Sequence, residues 1–108
     1  MLVIVMHNND DYLRSITDLA RSMGIKSMKT VEQKSLGTKM VGLNASVTVV
    51  KGQAMDKYSK AFIASLEGKG KADEFLSAVE NDAALNMHAD DSAFICMLPF
   101  GSIKDVCV

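Results

Sequence analysis

LVIVMHNNDDYLRSITDLARSMG, residues 2–24, is the stretch that decides the fold. It opens on an apolar, β-branched run, Leu2 to His7, the pattern of a central strand covered on at least one face. Asn8-Asn9-Asp10 stops the run, because these side chains bond neighbouring backbone amides and so favour turns and helix caps. Tyr12, Leu13, Ile16, Leu19, Ala20 and Met23 then recur at three and four residues, which makes one apolar helical stripe. Gly24 follows the last of them and supplies the left-handed conformation that closes a helix.

Working outward, Ile25 to about Lys34 reads as a second strand whose mixed pattern predicts one solvated face. The order then repeats. Ser59 to Glu67 places Phe62, Ala64 and Leu66 on one side of a strand and Ala61 and Ile63 on the other, closed by a Gly68-Lys69-Gly70 turn. Ala72, Phe75, Leu76 and Val79 mark a second helix, with Asp73 and Glu74 expected in its first turn, and the pattern fades near Ala84. Residues 86–92 are polar, and Ala93 to Leu98 is a last apolar strand that Pro99 ends.

Two β-α-β units in succession predict a single α+β domain over residues 1–108, a ferredoxin-like β-α-β-β-α-β sandwich. Its four-stranded antiparallel sheet carries two helices on one face and a long loop between strands 2 and 3. That arrangement leaves the other sheet face bare, and a homo-oligomer is the expected cover.

Composition bounds the function. Hydrophobic residues at 48% and charged residues at 23% describe a globular chain, and a formal net charge of −1 gives no field for nucleic acid or an anionic membrane. The opening run is too short for a signal-peptide core and has no basic residue before it, and no stretch approaches a membrane span. Cys96 and Cys107 have the spacing of neither a zinc site nor a disulfide framework. A cytoplasmic protein with free thiols is expected.

The segment from Gly37 to Lys57 is longer than a compact domain needs to join two strands, and loops beyond about 12–15 residues are usually functional or disordered. Its middle, Ala45 to Val50, is β-prone and reads as an extra edge strand or hairpin arm. The same segment reads as an interaction arm, with Met40, Val41, Asn44, Val47, Val49, Met55 and Tyr58 as partner contacts, although Tyr58, close to the next strand, also reads as a packing or hydrogen-bonding residue.

Several positions together resemble one family: Gly24-Ile25 closing the first helix, Met28, Glu32, Lys34, Leu36-Gly37, the Lys60-to-Leu66 strand and the Phe94-to-Pro99 strand. Across its length the chain resembles the PII-type signal-transduction proteins, trimers of ferredoxin-like subunits with a T-loop between the second and third strands. The resemblance implies a homotrimer that senses a small-molecule effector in clefts between subunits. It also implies control of a partner protein, such as a transporter or an enzyme, through the 37–58 loop. Effector-binding residues by this reading are Lys34, Gly37, Thr38, Lys39, Asp90, Asp91, Ser92 and Lys104. ATP or ADP is the effector that the resemblance implies, yet the chain departs from the family where nucleotide is held. Thr38 stands where an arginine commonly follows the glycine, residues 87–92 lack glycine and lysine, and no arginine follows the last strand. Phosphate needs free backbone amides or cationic donors, and two aspartates repel it.

Eight methionines, two histidines and two cysteines raise a soft-metal alternative, a trimeric divalent-cation tolerance protein with His88 and Asp90 as ligands. No clustered ligand motif accompanies them, and Met6, Met23, Met28 and Met97 fall on core positions as adaptable filler. Nucleophilic catalysis needs a positioned base, and neither histidine has an identifiable partner, so no enzymatic activity is expected. Asp10-Asp11 reads as a capping turn, and Gly68 to Lys71 as a strand-to-helix turn that could attract an anion.

Overall fold

The computed structural model describes residues 1–32, 48–51, 58–82, 85, 93–98 and 103. The strand β1 (Leu2–His7) is central, and every one of its residues is buried. The helix α1 (Asp10–Ser22) follows, then β2 (Met28–Glu32), β3 (Thr48–Lys51), β4 (Lys60–Ser65), α2 (Gly68–Asn81) and β5 (Phe94–Leu98). The sheet runs β2-β4-β1-β5-β3, and every neighbouring pair is antiparallel.

Each helix connects two strands that are separated by one other strand. α1 carries the chain from β1 over β4 to β2, and α2 carries it from β4 over β1 to β5. These are two split β-α-β units in an α+β domain, consistent with a ferredoxin-like sandwich. The sheet has five strands among the described residues rather than the expected four. The β-prone middle of the excursion enters it as β3, which pairs with β5 and carries a register irregularity between Val49 and Lys51.

Register decides which side chains meet. Val3 and Val5 of β1, Phe62 and Ala64 of β4 and Ile95 of β5 point to one face, where they join Tyr12, Leu13, Ile16 and Ala20 of α1 and Ala72, Phe75, Leu76 and Val79 of α2. Both helices therefore lie on that face. The Phe62 and Phe75 rings meet at 6.1 Å in a tilted pair. Burying each large apolar side chain contributes roughly 1.5–3 kcal/mol.

The opposite face is not bare. Leu2, Ile4, Met6, Ala61, Ile63, Cys96 and Leu98 are all 0% exposed within the single chain, with Tyr58, Val31 and Ile103 packed against them. A homo-oligomer is thus not needed to cover it. The near-continuous apolar runs of β1 and β4 are the sequence's record of burial on both faces.

Three further expectations are corrected. In β2, Lys29, Thr30 and Glu32 are exposed while Met28 and Val31 are half-buried on opposite faces, so solvent reaches this strand because it is an edge. The helix α2 starts at Gly68 rather than after a 68–70 turn, which moves Asp73 and Glu74 beyond its first turn. Its first residue adopts φ +86°, open to glycine without strain. Tyr58 is 7% exposed and belongs to the second core, which fits its reading as a packing residue and not that as an exposed contact. Of the core methionines, Met6 is fully buried, and Met23, Met28 and Met97 lie half-buried against the helix-side core.

Candidate functional site at the root of the excursion

The excursion leaves the sheet at the end of β2 and re-enters β4 through Tyr58 and Ser59, beside the end of β1. In register, Lys60 lies opposite both His7 of β1 and Glu32 of β2. Four of the described side-chain hydrogen bonds meet here. Asn9 caps α1, its Oδ1 accepting from the Asp11 amide at 2.8 Å and the Tyr12 amide at 3.1 Å. Asn8 reaches across the fold, and its Oδ1 accepts the Ser59 amide at 2.7 Å. Lys60 donates to the Asp10 carboxylate. The turn between β1 and α1 thereby holds the return root of the excursion at two successive residues.

His7 lies beneath this turn. It is 1% exposed, the sole buried polar side chain among the described residues. Its Nδ1 accepts the Asn9 amide at 2.9 Å, and its ring stacks on Tyr12 with centroids 4.0 Å apart and planes 15° from parallel. A ring nitrogen that accepts carries no proton, so the imidazole is neutral with its hydrogen on Nε2. This partner arrangement, which sequence reasoning did not identify, had a local signal: a histidine closing an apolar strand two residues before an Asn cap.

Charge in the site is local. The hydrogen bond and the charge of Lys60 hold the Asp10 carboxyl below its ordinary value. Burial raises the Tyr12 phenol, leaving it neutral at physiological pH. Asp11 turns away to Arg14 at 3.5 Å, so the two adjacent carboxylates serve separate cations and share no proton.

Among the residues proposed from sequence, Tyr58 is described in full. Val49 sits in β3 opposite Cys96. Lys34, Gly37, Thr38, Lys39, Met40, Val41, Asn44, Val47, Met55, His88, Asp90, Asp91, Ser92 and Lys104 lie outside the described residues. No cluster of three metal-ligating side chains occurs among the described residues. None of the described helices is long and apolar enough to cross a membrane.

At the other end of β4 an open cleft of about 410 Å³ is lined by residues 23–27, 65–67 and Lys71. It adjoins the 68–71 turn considered for anions. The Gly68 amide there already donates to the Leu66 carbonyl at 3.0 Å, and Glu67 adds a carboxylate to the lining. Both features oppose an anion. Comparison of the chain with protein-family models and with curated proteins finds no match.

Proposed function

We propose that this chain is a PII-like regulatory protein of the cytoplasm, which binds a small effector and acts on a partner protein through the 37–58 excursion. One observation carries the reading. The chain leaves β2 at one edge of the sheet, returns as β3 at the opposite edge and comes back to β4, all between two split β-α-β units. A connection that visits the opposite edge strand is not required to join β2 to β4, which are hydrogen-bonded neighbours. Its length serves something other than connection.

The mechanism is population shift. An effector that contacts the root favours one conformation of the arm, and the partner reads that conformation. Binding, not catalysis, is the activity. A trimer, where it forms, assembles from chains whose second sheet face is already buried, so it is an association of folded subunits.

Thermal unfolding in the presence of ATP, ADP, 2-oxoglutarate, bicarbonate or divalent metal ions tests this, because a ligand specific to the native state must raise its Tm. Stabilisation by one of the organic or bicarbonate ligands, with altered proteolysis at Lys39 or Lys57, is the expected result. Stabilisation by zinc or copper alone would replace the reading with the metal-binding one.

A further inference from the structure

We propose that His7 is a pH-sensitive clasp on the root of the excursion. Neutral, it holds the turn between β1 and α1 closed, and that turn holds Ser59; protonated, it releases both. Nδ1 accepts the Asn9 amide only while it keeps its lone pair. A proton there turns the acceptor into a donor facing a donor. Asn9 is the cap of α1, and its neighbour Asn8 is the residue that grips the Ser59 amide from 51 positions away. One ring nitrogen therefore governs a local turn and a long-range tether.

The surroundings oppose the charged form. The ring is 1% exposed and lies at the N-terminus of α1, where the helix dipole is positive, and Lys60 of β4 stands opposite it in register. Asp10 of α1 is engaged by that same lysine, Asp11 pairs with Arg14, and Glu32 of β2 is one strand further away, opposite Lys60. Tyr12 offers the face of a neutral phenol, which offsets part of the cost. Tyr58, just before β4, packs in the second core on the opposite sheet face. Register between β5 and β1 ends at Met6, and the described residues of β5, Phe94–Leu98, carry no charge. Because these surroundings oppose the charge, the clasp opens only as pH falls below the ordinary histidine value, near about 6.5. The clasp works without an effector, and only its meaning as control of an output arm rests on the regulatory reading above.

The test is NMR on the full chain without any ligand, with His88→Gln used to assign the two histidines. Long-range nitrogen–proton spectra at pH 7.5 should place the His7 proton on Nε2. Between pH 7.5 and 4.5 the amide protection of Asn9 and Ser59, corrected for intrinsic exchange, should fall together by about tenfold, following the His7 ring signals. In His7→Asn, whose side-chain oxygen offers an acceptor that does not titrate, both should stay flat. A proton on Nδ1 at pH 7.5, an equal loss in His7→Asn, or a loss at Asn9 with Ser59 unchanged would each overturn the clasp. Should His7→Asn fail to fold, co-titration of the ring with both amides in the unmodified chain decides. A fruitless effector search leaves all of these outcomes intact.

Discussion

Two residues carry chemistry that their surroundings have altered in opposite ways. Cys96 is fully buried between β1 and β3, and burial pushes its thiol up to about 12. The thiolate is the reactive form, so at pH 8 only about one molecule in ten thousand holds it even before access is considered. In a Cys107→Ser background, Cys96 should react with Ellman's reagent only as fast as the chain unfolds, and at once in urea. Prompt native labelling would mean that the second core is open. Asp10 behaves oppositely, because Lys60 stabilises its charged form. Its folded value lies below the unfolded 3.8, so the stabilisation is present above that pH and is lost as pH falls below it. The pair is exposed, so Asp10→Asn should lower Tm slightly at pH 7, less in high salt and not at all at pH 2. An equal loss at both pH values would assign the effect to something other than the ion pair.

At the scale of elements, α1 shows how much of this fold is written locally. Asn9 satisfies two of the orphan amides at its start. At its end, the Gly24 amide donates to Arg21 and the Ile25 amide to Ala20, both at 3.1 Å, with Gly24 at φ +82°. Asn9→Ala should cost about 1 kcal/mol. Gly24→Ala should cost roughly 1–2 kcal/mol from backbone strain alone, since an added Cβ meets nothing within 4 Å. The sites are a helix length apart, so urea midpoints of the double variant should show the two losses added. A sum well short of that would mean the helix frays as one unit. These caps were legible because they use neighbours in sequence. The edge position of β2 was not, since five residues of mixed polarity describe a solvated face and an edge equally well. The start of α2 was hidden by Gly68 and Gly70, which signal a turn more strongly than a helix. At the candidate site, Asn8 and Ser59 meet across 51 residues, and nothing local to either announces the other.

At the scale of the whole molecule, the decisive fact is a sheet buried on both faces within one chain. Sequence periodicity recorded that β1 and β4 were apolar throughout, but a strand pattern does not say whether a second copy or the same chain provides the cover. The seven side chains of the second face at 0% exposure assign it to the same chain. An obligate trimer has no stable folded subunit, and its structure is lost as it dissociates. This chain should behave otherwise. Diluted until sedimentation reports a monomer, it should keep its far-UV circular dichroism, and Cys96 in the Cys107→Ser chain should stay unlabelled. Loss of structure in step with dissociation would show that the second core is completed between subunits. If structure persists, any assembly must use other surfaces, of which the exposed edge of β2 is one. The excursion leaves from that edge, so an association there would bear directly on the arm and its root.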